Sequence, residues 1–416
     1  MTRFRTGRIR TGLASLCALA AAVSGTAAFG QPVLPEVLQG GAAASEVPVT
    51  VQNLRWLMLD QPFSSLAFRS MDRLFTTRTV PHAGQPWVLP QASHALDFSY
   101  DFGGRTWSAQ EGIERTYTNA IMVLKDGRVV YEAYRNNSTP ADRFMGWSAT
   151  KSLVSIMVGV AAEQGLIASL DDPVDRYLPE LAEGGYRGVT VRQVLQMRSG
   201  VAYEERYDFA NPGAAASNHI GALVQNRVRF VDAARTIERK AEPGALFEYK
   251  TLDTAVLGLL LERVSGMPLA AYMARNLWEP LGAEADGFFI MDGAPGVGRE
   301  FSGAGYNATL RDFARVGQMM LDGGVANGRR IVSADWVAQS TRPTERVPEP
   351  GLGYGMQWWT MGDTAYSAIG LQGQYIFVDP ATRTVVVKLS YFPPLGDEAD
   401  NETQAFLRAA SAWQPR

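Results

Sequence analysis

Apolar and polar positions follow several distinct patterns along the chain, and each pattern predicts an element. The stretch NAIMVLKDGRVVYEAYRNN holds two β-rich runs around Asp126-Gly127, the strongest short-range hairpin signal in the chain. From Ser148 to about Gln164 the spacing becomes helical, with Gly165 as the stop. VTVRQVLQMRSG predicts another helix stopping at Gly200, and TLDTAVLGLLLERVSG one stopping at Gly266. Between them DFANPGAAASNHI, rich in Gly, Ala and Asn, reads as an irregular loop. Near the end, SAIGLQGQYIFVDPATRTVVVKLSYF reads as two strands around a turn at 380–384, and QAFLRAASAW as a short closing helix. Strands near both ends enclose a mostly helical middle.

The remaining segments divide the chain. Residues 1–30 carry Arg3, Arg5, Arg8 and Arg10, then an apolar stretch from Leu13 to Val23, then small residues. That layout predicts a signal peptide and an exported protein, without a stable membrane anchor once the segment is removed. Cys17, the only cysteine, falls inside it, so disulfides, thiol catalysis and thiolate metal sites are not expected of the mature chain. Residues 31–50 are small, Gly/Ala/Pro-rich and unpatterned, and read as a linker. Residues 51–110 are apolar without clean periodicity and read as an ordered extension packed on a main domain spanning 111–416.

Composition narrows the class. The 416 residues are 46% hydrophobic and 19% charged, which suffices for a sizeable core. With 39 basic and 42 acidic residues the net charge is -3, no footprint for nucleic acid or an anionic membrane. A small, roughly neutral substrate fits better, and no metal or other cofactor is expected. With three histidines and no G-x-S-x-G elbow, a Ser/His/Asp hydrolase has little support.

One short stretch carries chemistry. In GWSATKSLVSIMVGV, Ser148 precedes Lys151 by three residues, so the two share one helical face. Serine is a favoured N-cap, and a capped helix with a solvated lysine is one reading. The other makes Ser148 a nucleophile and Lys151 its base. That needs an amine well below its ordinary pKa, which apolar neighbours Leu153, Val154, Ile156 and Met157 would bring about by desolvation.

FMGWSATKSLVSIMVGVAAEQGLIASLDDPVDRYLPEL resembles the serine β-lactamase and penicillin-binding family, and most its class C-like branch of esterases and 6-aminohexanoate-dimer hydrolases. VRQVLQMRSGVAYEE, EPGALFEYKTLDTAVLGLLLERVSG, GAGYNATLRDFARVGQMMLDGGVANGRRIVSADWV, YGMQWW and AIGLQGQYIFVDP are similar to later parts of the same family, in the same order. The resemblance implies an α+β fold of the β-lactamase/transpeptidase type. An antiparallel sheet from both chain ends would be flanked by helices beside a mostly helical lobe, with the serine in the cleft between.

It also implies residue roles. Ser148 would be acylated, Lys151 would assist proton transfer, and Tyr249 would take the place of the Y-x-N tyrosine, relaying a proton as phenol or phenolate. A lysine cation nearby would ease ionisation of that phenol. Thr251 stands where that motif has Asn and would be a substrate-binding residue, though the change weakens the case for β-lactam turnover. The strand motif K-T-G falls on Ala368, Ile369 and Gly370, with an alternative register at 365–367, and has lost its cation. Gly370 would let substrate approach the strand, and the amide of Leu371 would join that of Ser148 in an oxyanion hole. Tyr203 would be either a pocket residue or a packing residue. The expectation is an exported serine hydrolase of small esters or linear amides. The alternatives are a β-lactamase or D-Ala-D-Ala peptidase, or a non-catalytic binder of the same fold.

Overall fold

At Asp126 and Gly127 the backbone enters the left-handed region, with φ 48° and 74°. A two-residue hairpin turn of that hand matches the twist of the strands it joins, which are β1 (Thr118–Lys125) and β2 (Arg128–Tyr134). The computed structural model describes residues 45–206, 213–346, 352–394 and 396–415. The expected signal peptide and most of the expected linker lie outside these. The first described helix, Val49–Leu57, begins two residues before the boundary read from sequence.

The hairpin forms one edge of an eight-stranded sheet. Its other strands come from the far end of the chain: β3 (Glu345–Arg346), β4 (Leu352–Tyr354), β5 (Trp359–Met361), β6 (Ala365–Gly370), β7 (Gln374–Asp379) and β8 (Thr384–Ser390). The order is β3-β4-β5-β6-β7-β8-β1-β2, and every neighbouring pair is antiparallel. The long apolar run near the C-terminus therefore makes three strands rather than two. Gln372 and Gly373, with φ 55° and 90°, fold it back between β6 and β7. That turn was missed because glutamine is no usual turn former.

Helices cover both faces. Ile121 and Val123 of β1 point to a cluster with Phe406, Leu407 and Ala410 of the C-terminal helix, and Ala120, Met122 and Leu124 to the main core. Every position of β1 is buried, so two covered faces replace polar alternation by a continuous apolar run. The main core is shared with α1 (Ala149–Glu163), α2 (Thr251–Ser265) and α3 (Leu310–Leu321), and α4 (Asp397–Ala412) covers the other face. Helix α4 starts seven residues before the closing helix read from sequence. The architecture is the expected α+β one.

Two helical expectations change. VTVRQVLQMRSG is helical only over Val191–Leu195, because Met197 turns left-handed (φ 58°) and pairs with a distant segment, accepting from Glu248 N at 2.9 Å. The expected loop 208–220 contains a helix, Ala214–His219, with residues 207–212 outside the described ones. The 51–110 segment is ordered where described and packs on the rest. Its strand Thr77–Val80 pairs with Gly287–Ile290 in a four-stranded sheet that also holds Tyr306–Ala308 and Phe144–Met145. Phe144–Met145 leads directly into Ser148.

Candidate active site

The start of α1 shows what Ser148 does with its hydroxyl. Ser148 has φ -64° and ψ -12°, and its side chain makes no capping bond. A serine cap sits in extended backbone and accepts an amide from the first turn, so the capped-helix reading does not describe this residue. Its hydroxyl lies 3.1 Å from Lys151 Nζ instead.

Lys151 is 1% exposed. Its amine donates to the carbonyl of Gly303 at 2.6 Å and to Thr251 Oγ1 at 3.1 Å. Burial pulls its pKa down to about 8, against a smaller upward pull from the Glu205 carboxylate. A neutral amine has two N–H donors and one lone pair. With the donors spent on Gly303 and Thr251, the lone pair is left for the Ser148 proton.

Thr251 and Gly303 explain that orientation. The Thr251 hydroxyl donates to Glu205 Oε1 at 2.6 Å, which leaves its oxygen free to accept from Lys151. Glu205 Oε2 also accepts the Thr251 amide at 2.9 Å, placing a carboxylate at the N-terminus of α2. A Cβ on Gly303 would lie 2.4 Å from Thr251 Cγ2, so a side chain there would push Thr251 away. The Thr251 hydroxyl is thus committed to Lys151 and Glu205, which corrects the expectation that it binds substrate. Sequence reasoning missed Glu205 and Gly303. Gly303 lay within a family-like stretch, but nothing local marked its carbonyl as the amine's acceptor.

Tyr249 completes the group. Ser148 lies near enough to its hydroxyl to pull the phenol's pKa down. Its ring centre is 5.0 Å from Lys151 Nζ and stacks on Trp359 at 5.6 Å, with Tyr354 edge-on at 6.0 Å. Burial pushes the phenol well above its ordinary range, and this outweighs the downward pull of Ser148. Easier ionisation, expected from the sequence, is therefore corrected: desolvation dominates and Tyr249 is a phenol at neutral pH.

The strand motif lies alongside at its 368–371 register. A Cβ on Gly370 would lie 2.1 Å from the carbonyl oxygen of Gly146, two residues before Ser148. The close neighbour that requires glycine is therefore the protein's own backbone. Leu371 follows at the end of β6, and Ile369 packs in the apolar cluster that holds Tyr354 and Trp359. The alternative register at 365–367 is further along β6, with Ser367 Oγ donating to the carbonyls of Ala368 and Ile376. Tyr203 is not part of the group. It is buried in the main core with its hydroxyl 3.5 Å from Asn218 Nδ2, which decides for the packing reading.

A nucleophile-ready hydroxyl, a buried amine and a phenol on this sheet-and-helix frame agree with comparison to known proteins. The beta-lactamase family model matches residues 110–410. This chain belongs to the β-lactamase family of serine hydrolases. Over 302 residues it is 36% identical to the 6-aminohexanoate-dimer hydrolase of Paenarthrobacter ureafaciens, covering 68% of this chain and 75% of that one. It is 30% identical over 197 residues to esterase EstB of Burkholderia gladioli, covering 42% of this chain and 48% of that one. Among solved structures, a Bacillus anthracis protein provisionally assigned as a 6-aminohexanoate-dimer hydrolase superposes with a TM-score of 0.74 at 23% identity. The match covers 83% of this chain and 94% of that one. At that identity it is the β-lactamase-family fold that is shared.

Proposed function

We propose that this β-lactamase-family member is an exported hydrolase of small esters or linear amides that works through an acyl-enzyme on Ser148. The reading is carried by one observation: the Lys151 amine, with a pKa near 8, is held by Gly303 and Thr251 within hydrogen-bond distance of the Ser148 hydroxyl. Ser148 Oγ attacks the carbonyl carbon as its proton passes to Lys151. The amides of Ser148 and Leu371 receive the developing oxyanion. When the C–O or C–N bond breaks, the Tyr249 phenol gives its proton to the leaving group and is reprotonated from Lys151. Water then attacks the acyl-enzyme by the same route in reverse, releasing the acid and restoring Ser148.

Export is supported by the arginine-rich, then apolar first 30 residues, and residues 31–50 and 51–110 are read as linker and extension to the catalytic domain. The preference for an uncharged ester or linear amide rests on the strand motif, which has Ala368 where penicillin-recognising members carry a lysine. The relatives named above suggest the same substrates. Labelling the folded protein with a fluorophosphonate tests catalysis, and an adduct on Ser148 is expected. Its absence would favour a non-catalytic binder. Turnover of p-nitrophenyl acetate, 6-aminohexanoate dimer and nitrocefin tests the substrate class. Rapid turnover of nitrocefin alone would replace this reading by a β-lactamase.

A further inference from the structure

The two amides proposed for the oxyanion each adjoin a residue in the left-handed backbone region. Trp147, just before Ser148, has φ 48°, and Gln372, just after Leu371, has φ 55°. Neither is glycine, and such backbone persists only where its surroundings hold it.

Both are held by one stretch of the N-terminal extension. Phe68 sets its ring edge-on against Trp147, with centroids 5.3 Å apart and planes at 72°. Its carbonyl accepts the Met145 amide at 2.7 Å, three residues before Ser148. At the other end of the stretch, the Leu59 carbonyl accepts Gln372 Nε2 at 2.9 Å. Gln61 Nε2 donates to the Tyr391 carbonyl at 2.5 Å, and the next residue, Phe392, donates its amide to the Gln372 carbonyl at 3.2 Å. The helix Phe63–Ala67 fixes the spacing between these contacts, and Leu59 and Phe68 are 2% and 1% exposed. None of this stretch falls within residues 110–410, which the family model matches.

We propose that residues 59–68 position the oxyanion hole, Phe68 acting through Trp147 and the Leu59 carbonyl through Gln372. The inference rests on the serine-hydrolase reading above. Two N–H groups must converge on one oxygen that gains its charge only in the transition state. Trp147 sets the direction of the Ser148 amide, and Gln372 holds the turn that aims Leu371. Tying both to a third segment fixes the distance between donors that lie on different elements. Phe68 and Gln372 are positioning residues in this scheme, and their loss lowers the rate of acyl transfer without weakening ground-state binding.

The test compares Gln372→Met, Phe68→Leu and Phe68→Tyr with the parent protein and with Ser148→Ala, using p-nitrophenyl acetate and a fluorophosphonate. Gln372→Met and Phe68→Leu are each expected to lower kcat about tenfold with KM within about twofold. Phosphonate inactivation, which places charge in the same hole, should slow by the same factor. Phe68→Tyr keeps the aromatic edge and should stay near the parent rate. Should Phe68→Leu unfold, Gln372→Met still decides, since it removes one hydrogen bond and little volume. Unchanged kcat and inactivation in Gln372→Met would overturn the positioning role while Ser148→Ala remained inactive. Full activity in Ser148→Ala would overturn the hydrolase reading itself.

Discussion

Lys151 and Lys388 are both buried, and each gathers a serine hydroxyl, a backbone carbonyl and an aromatic ring around its amine. For Lys151 these are Ser148 at 3.1 Å, Gly303 at 2.6 Å and the Tyr249 ring at 5.0 Å. For Lys388 on β8 they are Ser390 at 2.5 Å, Thr116 at 2.9 Å and the Phe392 ring at 5.2 Å. Burial lowers both pKa values, and in both cases carboxylates pull the other way: Glu205 for Lys151, Asp400 and Glu402 for Lys388. A depressed lysine next to a serine is therefore not by itself a site. The difference lies in what adjoins the hydroxyl. Ser390 is 1% exposed and sits inside the sheet layer, whereas Ser148 is 8% exposed and has a phenol and the end of β6 beside it.

Substitutions can break this comparison, and the largest contrast is expected at the serines. Ser148→Ala should reduce kcat by at least about 10⁴-fold with the fold intact, and Ser390→Ala should leave it within about twofold. Ester and amide turnover on purified protein, with circular dichroism for the fold, checks both.

The lysines should differ next. Lys151→Met is expected to cost about 10³ in kcat, within the range for a lost general base, while Lys388→Met leaves kcat near the parent value. In the parent, kcat/KM should climb with pH and level off above about 8, where the Lys151 amine is neutral. Its folded pKa of about 8 is below the ordinary 10.5, so between them the unfolded chain binds more protons and stability rises with pH. The burial penalty is fully present below about 8. Melting temperatures of Lys151→Met against parent should show a gain at neutral pH that shrinks toward 10.5.

Smaller effects sharpen the picture. Tyr249→Phe should cost about 10² with an amide substrate and less with p-nitrophenyl acetate, whose leaving group departs without a proton. Equal losses on both would count against the phenol as proton donor. Glu205→Gln removes the upward pull on Lys151, so the rise in the kcat/KM profile should move to lower pH. A loss of about tenfold in kcat should accompany it as Thr251 loosens. A profile shifted to higher pH would contradict the assigned electrostatics.

Much of this was legible in local pattern. The Asp126-Gly127 turn, the bounds of α1 and α2, and the pairing of Ser148 with Lys151 depend on contacts within a few residues. The run at 367–392 misled because Gln372 is no usual turn former, yet it takes φ 55° there, with its side chain bonded to the Leu59 carbonyl. Tyr203 stayed open because a tyrosine in a loop looks alike in sequence whether it lines a pocket or fills the core.

The chain by itself determined which residues could meet: periodicity put Ser148 and Lys151 on one helical face, and Gly165 and Gly266 marked where α1 and α2 end. Tertiary structure alone decided what the lysine is. Its proton affinity depends on lost water and on Gly303, Thr251 and Glu205, brought from segments 46 to 152 residues apart in sequence. Hydrogen-bond geometry and desolvation belong to the surroundings of an atom, and those exist only once the sheet and helices have packed.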